Sequence, residues 1–426
     1  MKSFPLRSHA LPRAGGVQDA RPSHGPAALC TSKRFCPGFR VTPLCRPAIL
    51  SRCLPLCREI LNPRKGDPAM RKALKILLVI LLTVLVLAAA YVAYVFLAYH
   101  RIPDNQVLTV EGSVTETLRP GQTCRAISYN IGFGAYESDY SFFMDGGTQS
   151  WAWSEERLRE NLDEIAELLQ AENADFLLLQ EVDVDATRTY HFDESAVLRA
   201  AFPDRACVYA QNYDSPFLLY PFTQPHGASR AGMLTFSRYA VSSSLRRNLP
   251  IEGGFRKFLD LDRCYSVCRL PVEGGKELVL YTLHLSAYSA DGSISVEQLK
   301  LLLADMQAEY EKGNYTVAGG DFNKDLLGNS AQWFGAADRE YTWAQPLPED
   351  IFDGTGISLA APLDEKNPVP SCRNADAPYH EGQYVLTVDG FLVSGNVTVE
   401  EAAVLDTGFA HSDHNPVSLT FTLNAG

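Results

Sequence analysis

Thr316-Val317-Ala318-Gly319-Gly320-Asp321-Phe322-Asn323 is a short apolar run that stops on two glycines and then presents an acid and an amide. Apolar positions without alternation suit a strand covered on both faces, so Thr316–Ala318 reads as a buried strand with Asp321 and Asn323 at its end. In a layered α/β fold such an end opens on a crevice where ligands bind. The pattern recurs outward from this stretch. Cys124–Ser128 runs into Tyr129-Asn130 and a glycine loop, Phe176–Leu179 ends on Gln180-Glu181, and Leu278–Leu283 ends on His284. Val385–Val393 contains Asp389, and Ser412-Asp413-His414-Asn415-Pro416 precedes a run from Val417 to Thr422. Ala231–Phe236 and Tyr265–Leu270 are further strand candidates. Glu155–Glu172, with Leu158, Leu162, Ile165, Leu168 and Leu169 at helical spacing behind a Ser154 N-cap, predicts an amphipathic helix, as does Val296–Tyr310. Strands outnumber helices and the fold class is α/β.

Taken singly, these polar residues have ordinary explanations as turn formers, caps or core histidines. Taken together, several acids, two Asn and two His at the ends of apolar strands form a hard-oxygen set. That set suits magnesium, calcium or manganese and does not suit structural zinc. Beside neutral imidazoles it can orient a water and clamp a phosphate. No Walker or dinucleotide glycine pattern and no solenoid repeat is present.

In order along the chain, Tyr129-Asn130, Gln180-Glu181-Val182-Asp183, Thr282-Leu283-His284, Gly320-Asp321-Phe322-Asn323, Val388-Asp389-Gly390-Phe391 and Ser412-Asp413-His414-Asn415-Pro416 resemble the successive motifs of the endonuclease/exonuclease/phosphatase superfamily. That group includes deoxyribonuclease I-like nucleases, abasic-site endonucleases, neutral sphingomyelinases and inositol-polyphosphate phosphatases. The resemblance covers about residues 124–422. It implies a four-layer α/β sandwich, two packed mixed β-sheets flanked by helices, with a metal cluster at one edge. It further implies that Glu181 ligates a divalent cation, magnesium with manganese or calcium as alternatives, with Asn130 and Asp413 as further metal-site residues. Asp321, held by Asn323, would orient or deprotonate the attacking water. His414, its ring fixed by Asp389, would bind phosphate oxygens, and His284 would stabilise or protonate the departing oxygen. The sequence departs from the family pattern at Leu283, where a threonine is usual before the histidine, and at Gly390 after Asp389. Tyr136–Trp153 looks like an insertion, either a substrate-side lip or a packed surface loop.

The formal charge of −12 is an average over unlike parts. Residues 1–69 carry +9, residues 70–100 carry +3, and residues 101–426 carry −24. The first segment, rich in Pro, Arg and Cys without apolar periodicity, is expected to be a disordered basic leader. Translation is expected to begin at Met70, because Arg64-Lys65-Gly66 can be encoded by a purine-rich ribosome-binding stretch. Residues 76–98 hold no charge and only one aliphatic hydroxyl, Thr83. As a helix they span roughly 35 Å, enough to cross a bilayer, and the run is longer than a cleavable secretory core. Arg71, Lys72 and Lys75 precede it, which places the N-terminus in the cytoplasm and the acidic part outside. Residues 101–123 read as a stalk passing into a first strand, and 124–426 as the catalytic domain.

An outer domain with 23 basic against 47 acidic residues disfavours nucleic acid, whose affinity rests on phosphate neutralisation. The expected activity is therefore metal-dependent hydrolysis of lipid headgroup or small phosphoesters. An extracytoplasmic nuclease is the alternative, and an inactive anchored binding module is the alternative of another class. No protein partner is indicated. Among loop residues Arg188, His191, His226 and Arg230, Arg230 is the candidate for substrate binding. Cys264 and Cys268 lie some 13 Å apart along a strand at about 3.3 Å per residue, too far to bridge, and the outer cysteines are expected as buried thiols.

Overall fold

Ser154 accepts a hydrogen bond from the Arg157 amide and so caps the helix Glu155–Glu172 at the predicted residue. Leu158, Leu162, Ile165 and Leu169 of that helix are buried on one stripe, while Asn173 closes it in the left-handed conformation. The same logic of apolar stripes and buried runs builds the rest. The computed structural model describes residues 68–254, 257, 261–287, 293–335 and 343–425, so the basic leader lies almost wholly outside the described residues. The described residues divide between Leu81 and Leu82 into two units.

Helix α1 is Pro68–Ala98, with no buried residue, and it is long and apolar enough to cross a membrane. Then follow β1 (Gln106–Val107), β2 (Val110–Glu111), β3 (Thr123–Asn130), α2 (Glu155–Glu172), β4 (Phe176–Ala186), α3 (Glu194–Ala201), β5 (Ala206–Asp214), β6 (Ser229–Ser237), β7 (Ser243–Asn248), β8 (Cys264–Val272) and β9 (Lys276–His284). The chain continues through α4 (Ser293–Glu311), β10 (Tyr315–Asp321), α5 (Ser330–Phe334), β11 (Ile357–Ala360), β12 (Cys372–Arg373), β13 (Val385–Leu386), β14 (Asp389–Ser394), β15 (Val397–Val404) and β16 (Val417–Leu423).

Two seven-stranded sheets result, ordered β1-β7-β8-β9-β10-β14-β11 and β15-β16-β3-β4-β6-β5-β2. Both are mixed, with β9–β10 and β3–β4 parallel inside otherwise antiparallel ladders. Their inner faces share one core, in which Ala126, Phe176 and Leu178 of one sheet meet Leu270, Leu280, Val317 and Phe391 of the other. A second core joins α2 and α3 to the outer face of their sheet, and a third joins α4 to the other. This is the expected four-layer α/β sandwich.

Three segments differ from expectation. Residues 101–123 do not form a free stalk: β1 pairs with β7 in one sheet and β2 with β5 in the other, and Leu118 is fully buried. The run Val385–Val393 is broken at Thr387-Val388, whose amides turn out of the ladder to the hydroxyls of Ser330 and Ser371. The strand from Phe176 does not end at Glu181 but continues to Ala186 through a bulge, because Leu179 pairs with Leu234 and the next partner pair is Val182 with Gly232.

Candidate active site

Six strands or strand-adjacent loops deliver their polar residues to one edge of the paired sheets. Register does most of the placement: Asp321 at the end of β10 lies opposite His284 of β9 on one side and Asp389 of β14 on the other. Gly320 permits it, since a Cβ there would stand 2.0 Å from the Leu283 carbonyl oxygen. In the other sheet Asn130 ends β3 beside Gln180. The bulge puts Glu181 at φ +56°, a left-handed conformation uncommon outside glycine and concentrated at functional positions.

The carboxamide of Asn130 stands at the centre. Its Nδ2 lies 3.3 Å from Glu181 Oε1, 3.1 Å from Asp321 Oδ2 and 3.5 Å from His414 Nε2. Its Oδ1 accepts the Gly132 amide at 3.0 Å. The Gly132 amide thus orients the carboxamide, with Nδ2 toward the carboxylates. Asp321 Oδ1 accepts from the Asn323 amide at 2.8 Å, and the Asn323 side chain is tied to the Leu285 carbonyl at 2.8 Å. His414 Nδ1 meets Asp389 Oδ2 at 2.7 Å, and Ser371 Oγ donates to the same oxygen at 2.7 Å. His284 Nε2 lies 3.5 Å from Asp321 Oδ2 and 3.9 Å from Glu181 Oε1.

The electrostatics follow from burial and charge. Burial pushes Asp321 up to about 7, with His414 opposing and Asp389 adding. Burial also raises Glu181 and Asp413; Arg188 opposes the rise at Glu181, to which Asp413 adds, and His414 and Arg373 oppose it at Asp413. Burial works against a charged His414, but its bond to Asp389 lifts it well above the ordinary imidazole range. His284 moves the other way: burial, then Arg263 and His414, hold it well below that range, as a neutral ring.

Among the described residues, metal-ligating atoms of Asp321, Asp389 and His414 lie within 4.8 Å of one another. Asp389 Oδ2 and His414 Nδ1 already bond to each other, so this trio reads as a carboxylate–imidazole couple facing an acid. Glu181 and Asp413 are the half-buried oxygen donors that face the cleft.

The sequence matches the Endonuclease/Exonuclease/phosphatase family over residues 127–414. The chain belongs to this family. Family members hydrolyse phosphoester bonds and generally depend on a divalent metal. Solved structures similar to it include an endonuclease/exonuclease/phosphatase from Beutenbergia cavernae, 18% identical, covering 71% of this chain and 72% of that one with a TM-score of 0.47. The human Nocturnin catalytic domain, with bound sulfate, is 19% identical over 74% of this chain and 98% of its own, TM-score 0.45. ANGEL2, a 2',3'-cyclic phosphatase, is 16% identical over 75% of this chain and all of its own, TM-score 0.49. None of the curated proteins matches the chain in sequence.

As a family site, the donor set passes the test of chemistry. Glu181 and Asp413 are two hard carboxylates, both raised in proton affinity by burial, that line the cleft, which suits a hard cation and not a thiolate metal.

The structure brings Asn130, Glu181, His284, Asp321, Asn323, Asp389, Asp413 and His414 together, and leaves one expected residue out. Arg230 is exposed and ion-paired to Asp185, which also holds His191, because alternation along β6 turns Ala231 to the cleft side and Arg230 away from it. Arg188, expected on a solvated loop, is buried in a bidentate pair with Asp183 at 2.8 and 2.9 Å, its guanidinium 3.7 Å over the Phe133 ring. Tyr136–Trp153 is a packed loop whose Tyr136, Tyr140 and Phe142 sit in the core around Phe133, although Tyr136 and Asp145 also line the cleft. Sequence reasoning missed Arg263, Trp343, Cys372 and Arg373, which line the same cleft. Arg373 donates to the carbonyls of Tyr136, Glu137 and Tyr140 and so fastens that loop over the site. Only Arg263, one residue before an apolar strand at the same sheet edge, carried a positional signal. Cys124, Cys207, Cys264, Cys268 and Cys372 are free and buried.

Proposed function

We propose that the protein is a membrane-anchored, divalent-metal-dependent phosphoesterase that hydrolyses lipid-linked or small phosphoesters. The observation that carries the hydrolytic reading is the convergence of Glu181, Asp321 and His414 on the one Asn130 amide. Glu181 and Asp413 would hold the cation, magnesium in the first instance, which when bound neutralises phosphate charge and lowers the barrier as Lewis acid. Asp321, held by the Asn323 amide and aligned by Asn130, takes the proton of the attacking water; its elevated proton affinity fits a general base near neutral pH. His414, kept charged by Asp389, binds the phosphate oxygens as charge builds on them. His284, neutral, presents Nε2 beside Asp321 and stabilises the departing oxygen.

The choice of substrate is supported by charge and by α1. The outer segment carries −24, which disfavours a long polyanion, and an apolar helix precedes the catalytic domain with basic residues on its N-terminal flank. The test is a panel of plasmid DNA, sphingomyelin and inositol phosphates with a generic phosphodiester, each with magnesium and with chelator. Metal-dependent cleavage of the generic ester, lost in Asp321→Ala, is the expected result. A pure enzyme that cleaves none of them overturns the hydrolase reading, and preference for plasmid DNA overturns the substrate assignment.

A further inference from the structure

The loop between β5 and β6 has an unusual surface. Phe217, Leu219, Tyr220 and Phe222 are exposed, Tyr220 by 64% and Phe222 by 82%, within six residues of an acidic domain. Such a patch is costly in water and marks a protein or membrane contact. Part of its backbone is already paired within the protein. The Tyr94 hydroxyl accepts the Phe217 amide at 3.0 Å, and the Tyr91 hydroxyl donates to the Phe217 carbonyl at 3.1 Å and accepts the Leu219 amide at 3.2 Å. Leu218 exchanges both backbone bonds with Gly227, the Tyr220 carbonyl takes the His226 amide, and Pro216, Pro221 and Pro225 bring no N–H at all. Each backbone group paired in this way lowers the cost of entering lipid.

The depth is right as well. Tyr91 and Tyr94 lie seven and four residues before the end of α1 at Ala98, roughly 10 and 6 Å at the helical rise. That is the level where aromatic side chains gather at a bilayer surface. Just beyond, His100 pairs with Asp214 at 3.3 Å and Arg101 with Asp262 at 2.5 Å, so the chain leaves the helix end already bound to the domain.

We infer that residues 216–222 form an interfacial loop that inserts into the outer face of the bilayer beside α1 and seats the cleft on the membrane, so that lipid-linked phosphoesters are the substrate class. The loop connects to the site through Phe143 and Phe142. Tyr220 packs on Phe143, and His226 packs on Phe142 and Phe143. Phe142, Met144 and His226 line a cavity of about 100 Å³ that also includes Glu181 and Arg263 of the catalytic cleft. An ester entering from the bilayer would thus find apolar side chains and the Glu181 carboxylate in one cavity.

The inference rests on the anchored reading above, and one experiment separates the two. The full chain, reconstituted in phosphatidylcholine/phosphatidylglycerol vesicles, carries p-benzoylphenylalanine in place of Leu85, of Phe222, or of Val399, an exposed residue of the edge strand β15. After irradiation, lipid adducts are read by mass. Adducts at 85 and 222 with none at 399 are expected. Labelling at 85 without 222 overturns the loop while leaving the anchor, and no labelling at 85 overturns the anchor and the loop with it. A second measurement uses Leu219→Ser/Phe222→Ser. Its kcat/KM on a vesicle-borne phosphodiester should fall at least roughly tenfold, as two apolar side chains lose their lipid contact, while a soluble phosphodiester is cleaved within about twofold of wild type. Equal rates on vesicles overturn the inference.

Discussion

Asp389→Asn isolates what one carboxylate contributes without disturbing shape. In the wild type, Asp389 Oδ2 faces His414 Nδ1 and Ser371 Oγ, each at 2.7 Å. Ser371 cannot turn away, because its Oγ accepts the amides of Val388 and Asp389 at 3.0 and 3.1 Å, which leaves its single proton for the carboxylate. An asparagine oxygen can take over both contacts, so the fold should persist. What disappears is the negative charge, and with it the interaction that keeps the buried imidazole charged. A charge-assisted hydrogen bond is worth about 1.5–3 kcal/mol. Losing that much from the transition state lowers kcat roughly 10- to 150-fold. The assay is steady-state hydrolysis of a generic phosphodiester with saturating magnesium, beside a urea unfolding curve to show the variant is native. A folded Asp389→Asn enzyme with kcat within about threefold of wild type would refute the carboxylate–imidazole pair as part of the machinery.

Arg188→Met should cost about 3–5 kcal/mol in urea unfolding, since it strands Asp183 uncompensated at full burial, and Arg188→Met/Asp183→Leu should recover most of that. A single variant within about 1 kcal/mol of wild type would contradict the pair's burial. His226 is held down to about 3 by burial, with Arg188 adding, below the 6.5 of the unfolded chain. The folded state binds the proton more weakly, so the stabilisation is complete above about pH 6.5 and is lost as pH falls toward 3, with a slope of up to about 1.4 kcal/mol per unit. His226→Gln should flatten this component in unfolding curves between pH 7 and 4. Gly320→Ala should cost about 1–3 kcal/mol by overpacking against the Leu283 carbonyl and should lower kcat by displacing Asp321 from His284, both measurable on one preparation.

Sequence alone determined a good deal. Apolar runs with period two or none marked the central strands, and helical spacing behind a capping serine marked α2, because these patterns are local consequences of which face is buried. The polar residues at the ends of those runs were legible as a site for the same reason. Strands β5, β7, β11 and β15 were not; β11 and β15 are sheet edges, and an edge strand such as β15 is largely exposed, so that its residues look like loop.

Tertiary structure decided the rest, because it depends on partners far away in sequence. Whether Glu181 ends a strand or rides on a bulge is set by its pairing with β6, fifty residues on. Which atom of Asn130 faces the carboxylates is set by the Gly132 amide, and which side of β6 reaches the cleft is set by the register that sends Arg230 to Asp185. The partners of the Phe217 and Leu219 backbone groups are the hydroxyls of Tyr91 and Tyr94, more than a hundred residues earlier. A sequence names the donors and acceptors, and only the packed chain assigns each to its mate.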